Sequence, residues 1–272
     1  MSFETVLYEK HDLVAVITLN RPDRLNAINQ QMLRDIKAAC ETAEGDDDVR
    51  AVVLTGAGKT FSSGFDLKEQ AEHPPQGVEE WGPVLREDFD GIMRFWHLSK
   101  PTIAAVRGHV LAGAFEMMLA CDMTVAAEGS VFGEPELKFG AGIVAMLAPW
   151  YMGPKIAKEI ILTGSDHMPV ERAFDLGLVN KIVSEGEEVN EALGIARRLA
   201  RMDPTLVRRT KAAINRSYEI MGFVRALDMA LDVDLLIEGE GTDDKRTFLT
   251  LVREKSMRAA LDWRENHIAG DE

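Results

Sequence analysis

Two apolar runs constrain the architecture of this chain more than anything else in it. Ala51-Val52-Val53-Leu54-Thr55 and Thr102-Ile103-Ala104-Ala105-Val106 each read as a strand, and each leads into a glycine-bearing turn and then a helix-like pattern. The first turn is Phe61-Ser62-Ser63-Gly64-Phe65-Asp66-Leu67. The second is Gly108-His109-Val110-Leu111-Ala112-Gly113-Ala114-Phe115-Glu116. A strand–turn–helix unit of this kind can aim backbone N–H groups at a point beyond the strand. Two such groups aimed at one point are a means of holding an oxyanion.

The rest of the chain repeats the alternation. Val6–Tyr8, Leu13–Leu19 and Asp122–Ala126 read as further strands, with a short extended piece at Ser130–Gly133. Helical spacing covers 27–44, 85–96, 112–120, 143–152, 155–162, 169–176 and 188–201. Asn26 is placed to cap the first of these helices. The Pro-, Gly- and Glu-rich stretch 69–83 reads as a mobile surface segment. Alternating strands and helices argue an α/β fold. Beyond about residue 203 only helical patterns remain, at 204–216, 219–238 and 242–265. The expected organisation is therefore a core over 1–200, carrying the site, and a helical region over 201–272 that serves as cover and oligomer contact.

Composition removes several classes of function. The net charge is −14, from 31 basic and 45 acidic side chains, and a nucleic-acid surface needs a basic face. No apolar run approaches the roughly 20 residues of a membrane span. The N-terminal Met1-Ser2-Phe3-Glu4-Thr5 lacks the basic and apolar regions of a signal peptide. Cys40 and Cys121 lie in apolar stretches and read as reduced, buried thiols. A cytoplasmic protein is the expectation.

The six histidines are scattered without metal-ligand spacing, and His109, beside the second turn, reads as structural. Gly56-Ala57-Gly58-Lys59-Thr60 ends like a phosphate loop, but the glycine that the full pattern needs is Val53, inside a strand. Neither a G-x-S-x-G elbow nor a G-x-G-x-x-G turn occurs. The candidates that remain are the Phe65 N–H at the first turn, the Gly113 N–H at a helix start, and the carboxyls of Glu116 and Glu136. Glu116 falls within a mostly apolar helix, where a carboxyl tends toward a raised pKa suited to proton transfer. Glu134 alternates with Glu136 across Pro135, and the sequence leaves open which of the two faces inward.

Taken in order, these segments resemble the crotonase family, the enoyl-CoA hydratase/isomerase superfamily. Asn20-Arg21-Pro22 with Asn26-Ala27-Ile28 is similar to its N-R-P…N-A-L segment. Leu54-Thr55-Gly56 through Phe61-Ser62-Ser63-Gly64-Phe65-Asp66-Leu67-Lys68 is similar to L-T-G…F-S-A-G-x-D-L-K. Ala105-Val106-Arg107-Gly108 through Gly113-Ala114-Phe115-Glu116 and Ala120-Cys121-Asp122 is similar to A-V-x-G…G-G-x-x-E…A-C-D. Phe132-Gly133-Glu134-Pro135-Glu136 is similar to F-G-x-P-E, and Leu162-Thr163-Gly164 with Ala173 through Asn180 to L-T-G…A-x-x-x-G-L-V-x.

The resemblance implies a spiral of ββα units with a C-terminal helical region, assembled as a homotrimer or homohexamer. It implies an acyl-CoA thioester as ligand, with CoA part of the substrate and no metal or redox cofactor. Phe65 and Gly113 N–H groups would hold the thioester oxygen. Arg24 and the stretch Ser63, Gly64, Asp66, Leu67 and Lys68 would contact CoA. Family hydratases use two glutamates whose positions match Glu116 and Glu136, so the expected reaction is reversible syn addition of water to an enoyl-CoA. A Δ3,Δ2-enoyl-CoA isomerase of the same family would need Glu136 alone, and a non-catalytic CoA-binding member would need neither. No Asp or Glu occurs between Leu137 and Lys158, which argues against the branches that place a catalytic aspartate there. The family's P-G-x-G-G-T-Q-R-L-like loop is replaced by the more apolar Gly140-Ala141-Gly142-Ile143-Val144-Ala145-Met146-Leu147. Met146, Trp150 and Tyr151 are candidates either for an acyl pocket or for the core.

Overall fold

Val6–His11 (β1), Val14–Leu19 (β2), Ala51–Gly56 (β3), Thr102–Val106 (β4), Met123–Ala127 (β6) and Lys181–Val183 (β9) form one sheet in the order β1-β2-β3-β4-β6-β9. The structure is a computed structural model that describes residues 3–269. β1 runs antiparallel to β2, and every other pairing is parallel, with Val52 opposite Thr102 and Ile103 opposite Met123. β3 and β4 are buried along their whole length. That is why both read as near-continuous apolar runs rather than as alternating patterns.

Their side chains still alternate between two faces. Ala51, Val53, Ile103 and Ala105 pack under the helix Glu188–Ala200 (α7) through Ala192, Leu193 and Ala196. Val52, Leu54, Ala104 and Val106 join the larger core on the opposite face. There Gln30–Gly45 (α1), Gly77–His97 (α3) and Gly113–Ala120 (α4) contribute Met32, Ile36, Phe89, Ile92, Phe115 and Met118.

A second, small sheet of His109–Leu111 (β5), Val131–Gly133 (β7) and Met168–Pro169 (β8) lies in the order β5-β7-β8. Two successive passes of the chain thus place one strand in the large sheet and one in the small sheet: β4 then β5, β6 then β7. This is the expected ββα spiral.

Several local expectations change. Asn26 does not cap α1; Asn29 does, its side chain accepting from the Met32 N–H. Asn26 instead sits at φ +52° as a buried hub, donating to Ala57, Thr60 and Phe61 carbonyls at 2.8–3.1 Å and accepting from the Arg21 N–H at 2.9 Å. The stretch 69–83 is ordered: Leu67–Glu72 (α2) and the first two turns of α3 occupy most of it. Glu79 and Glu80 sit in the first turn of α3, where acids suit the helix dipole, and Trp81 is buried. Residues 143–147 are not helical. The helix Ala148–Leu162 (α5) starts only where Pro149 occupies its first turn, the position that tolerates proline, and it is kinked at Gly153.

The remaining helices are Val170–Asp175 (α6), Pro204–Ile220 (α8), Phe223–Glu240 (α9), Asp243–Glu254 (α10) and Met257–Ala269 (α11). The single expected helix over 242–265 is two, divided at Lys255-Ser256, where the Ser256 hydroxyl accepts from the Ala259 N–H. α9 lies along α3. α10 folds back onto α2, with Phe248 and Val252 packed on Ala71. The C-terminal helices α9 and α10 therefore cover α3 and α2, the helix that follows the first turn.

Candidate active site

The two glycine turns are in contact. A parallel bridge joins Ser62 to Val110, and Leu111 donates to the Ser62 carbonyl at 3.3 Å. Gly64, at φ +88°, lies so close to the second turn that an added Cβ would sit 2.5 Å from that of Ala112. Any side chain at Gly113 would run into the ring of Phe65. Glycine is thus required at 64 by conformation and at both positions by approach. The Ser62 hydroxyl fixes the first turn, donating to the Asn26 carbonyl at 2.8 Å and accepting from the Gly64 N–H at 3.2 Å.

Among the described residues, the N–H groups of Phe65 and Gly113 donate to no protein acceptor. Gly113 opens α4, so its N–H also belongs to the positive end of a helix. Ala112 before it holds φ +56° and ψ −139°, a region that L-residues avoid. Two unpaired N–H groups on touching turns are suited to an oxygen that gains negative charge.

Beside them lie three buried carboxyls. Glu116 comes from α4, and Glu134 and Glu136 from the link that follows β7. One oxygen from each lies within 4.8 Å of the others. The sequence left open which of Glu134 and Glu136 turns inward, and both do. Glu116 Oε2 accepts from the Ala145 N–H at 3.1 Å. Its Oε1, both oxygens of Glu134 and Oε2 of Glu136 have no hydrogen-bond partner.

Burial pushes Glu116 well above the ordinary carboxyl range, and the nearby Glu136 charge adds to it. Burial does the same to Glu134, reinforced by Glu136 and Glu116. Glu136 is pushed up to about 8, again by burial, with its own backbone N–H working against the rise. A group in this state holds protons at neutral pH and passes them between neighbours. Among the described residues this trio is also the one acidic, His or Cys group close enough to hold a metal ion.

A cavity of about 80 Å³ adjoins Glu136, lined by Ser63, Phe65, Leu67, Trp81, Phe139 and Val144 among others. Of the residues expected to contact CoA, Ser63 donates its N–H to the Leu25 carbonyl, which ties the first turn to the Pro22–Arg24 turn. Arg24 and Lys68 are exposed on the surface near it. The Asp66 carboxylate is occupied: it caps α2 through the Lys68 and Glu69 N–H groups and pairs with Arg21 at 2.9 Å. Met146, Trp150 and Tyr151 do not line the cavity. Trp150 packs edge-on against Phe223 at 5.2 Å, Met146 joins the core, and Tyr151 is exposed. His109 is exposed on β5, with Nδ1 3.5 Å from the Thr60 hydroxyl.

Sequence reasoning missed the polar residues that α3 and the C-terminal helices bring to this cavity: Asp88, Asp234 and Glu238. An acidic residue among apolar positions of a helix face was the available signal for each.

An α/β spiral with touching glycine turns and a buried glutamate cluster beside them is the architecture of an acyl-CoA enzyme of the crotonase type. The profile of the enoyl-CoA hydratase/isomerase family matches residues 9–256, and the chain belongs to that family. It is 35% identical to the short-chain-enoyl-CoA hydratase of Clostridium acetobutylicum, over 94% of this chain and 97% of that protein. It is 32% identical to the crotonyl-CoA hydratase of Syntrophomonas wolfei, over 97% and 98%. Among solved structures, an enoyl-CoA hydratase/isomerase from Xanthobacter autotrophicus Py2 superimposes with a TM-score of 0.97, at 55% identity over 100% of both chains.

Proposed function

We propose that the protein is an enoyl-CoA hydratase that adds water reversibly, in syn fashion, across the α,β double bond of an acyl-CoA thioester. The observation that carries this reading is the placement of two unpaired N–H groups on touching turns beside the Glu116–Glu136 pair. The thioester oxygen accepts from the Phe65 and Gly113 N–H groups, and those bonds strengthen as it becomes an enolate oxygen. Water lies between the two glutamates. One takes a proton from it as its oxygen bonds to C3. The other gives a proton to C2 as the enolate collapses. One H and one OH are added, and a proton passed between the glutamates restores the site. The proposed reaction draws on no metal or redox cofactor, and CoA enters with the substrate. Arg24, Ser63, Gly64, Leu67 and Lys68 border the route for CoA, and Asp66 holds that border in place through its cap and ion pair.

The test is loss of enoyl-thioester ultraviolet absorbance in wild type, Glu116→Gln and Glu136→Gln. Turnover in wild type with a drop of about 10²-fold or more in each variant is expected, the scale of general acid–base catalysis. Full activity in both variants would overturn the assignment. Loss only in Glu136→Gln would point to an isomerase.

Two wider features belong to the same reading. No described helix is long and apolar enough to cross a membrane. Cys40 and Cys121 are free and buried, which suits the reducing cytoplasm. The region 201–272 exposes Leu206, Ile214, Ile220, Met221, Met229 and Val233 on α8, α9 and their junction, which suits contact between copies in a homotrimer or homohexamer.

A further inference from the structure

The cavity beside Glu136 extends between α3 and α9, and its far wall is not what an alkyl tail calls for. Trp81, Leu85, Phe139 and Val144 make it apolar, but α3 also contributes Asp88 and α9 contributes Asp234. Asp234 is 2% exposed, and neither of its oxygens has a hydrogen bond or an ion pair among the described residues. Its carboxyl rests against Gly142, where any side chain would collide with Oδ1.

The neighbouring cation acts on it only through space: the Lys245 charge lowers the Asp234 pKa against the effect of burial, with no ion pair between them among the described residues. Lys245 pairs with Glu238 and lies 4.6 Å from the centroid of the Trp81 ring, and Glu238 also accepts from the Gly142 N–H at 3.3 Å. Asp88 accepts one hydrogen bond, from Gln30 Nε2 at 3.1 Å. A buried carboxyl left without a partner is costly, and a purely structural aspartate would be paired. The unpaired one here lines the cavity that also holds Glu136.

We propose that Asp234, with Asp88 across the cavity, is a polar subsite for the acyl tail, and that the preferred substrate carries a hydroxyl group beyond the double bond. This rests on the hydratase reading only in taking the cavity as the acyl pocket. A hydroxyl both donates and accepts, and the two acids supply both complements. Burial raises Asp234 to about 6, so it is a carboxylate acceptor at pH 7.5. Burial raises Asp88 further, to about 8, so of the two acids it is the one that holds a proton more readily and is the better donor. The charged groups facing the pair are Glu136 and Glu116 on the side of the two turns and Glu238 and Lys245 on the side of α9 and α10.

The test is calorimetric binding at pH 7.5 of saturated thioesters, which are not turned over: hexanoyl-CoA, its 4-, 5- and 6-hydroxy derivatives, and 6-aminohexanoyl-CoA. For wild type, at least one hydroxyacyl-CoA is expected to bind about 10- to 100-fold tighter than hexanoyl-CoA, the range of a hydrogen bond to a charged group. Asp234→Leu is expected to abolish or reverse that preference. Asp234→Asn, which keeps an acceptor and the shape, is expected to retain part of it and guards against a misfolded leucine variant. Hexanoyl-CoA binding to wild type as tightly as every hydroxy derivative would overturn the proposal. So would a hydroxyl preference that survives in Asp234→Leu, or tighter binding of the amine than of any alcohol. A hydroxyl preference without hydration of any matching enoyl-CoA would keep the subsite and remove the hydratase reading; no acyl-CoA binding at all would remove both.

Discussion

At the scale of single residues, the third carboxyl sets this site apart. Glu134 is fully buried beside Glu116 and Glu136, and among the described residues neither of its carboxyl oxygens has a hydrogen-bond partner. A carboxyl held above its ordinary value binds its proton more tightly in the folded chain than in the unfolded one. It therefore favours folding below the unfolded value and loses that contribution as pH rises through the folded value. For Glu136 the window runs from 4.5 to about 8. Wild type should lose stability from pH 5 to pH 8, and Glu134→Gln, with one acid fewer in the trio, should lose about 1–3 kcal/mol less. Thermal unfolding at the two pH values measures this, and equal slopes would show that Glu134 titrates as an ordinary glutamate.

Ala112 provides a second residue-scale prediction. Its φ of +56° suits glycine, and it precedes the Gly113 donor. Ala112→Gly should raise stability by about 1 kcal/mol, the relief of strain less the entropy of the freer unfolded chain. The urea midpoint reads the change.

At the scale of elements, the first turn depends on a side chain in a different segment. Asn26 reaches the carbonyls of Ala57, Thr60 and Phe61 and so pins the loop that delivers Phe65. Asn26→Ala would leave buried carbonyls unpaired, at about 1–3 kcal/mol each. A loss of roughly 3 kcal/mol or more in denaturant titration is expected, with a fall in turnover because the Phe65 N–H is no longer held in place. The loop after Gly140 plays a similar part for the second turn. Its irregular backbone gives the Ala145 N–H to Glu116 and the Gly142 N–H to Glu238.

At the scale of the whole molecule, the C-terminal helices close the site on one side and expose apolar surface on the other. Asp234 and Glu238 of α9 line the cavity, while Met229, Val233 and Leu236 of the same helix are exposed. Light scattering should give three or six times the chain mass of 30.1 kDa. Paired substitution of Leu206→Glu and Ile214→Glu, at positions 67% and 55% exposed, should lower that mass without unfolding the chain. An unchanged mass would place the contact elsewhere.

Apart from the short β5, β8 and β9, the sequence by itself determined the strands, the glycine turns and the identity of Phe65, Gly113, Glu116 and Glu136 as site candidates. These depend on short-range rules: an apolar run buried on both faces, a glycine where φ is positive or backbones approach, a carboxyl inside an apolar helix. Only the tertiary structure decided that 69–83 is ordered, since Trp81 and the helix around it gain their stability from burial against distant segments rather than from their own Pro- and Gly-rich composition. It likewise decided that Glu134 turns inward with Glu136, and that Asp88 and Asp234 meet at one cavity. Asp88, Glu116, the Glu134–Glu136 pair and Asp234 are separated by long stretches of chain, and which of them share a low-dielectric pocket depends on packing between α3, α4 and α9, a property no local pattern contains.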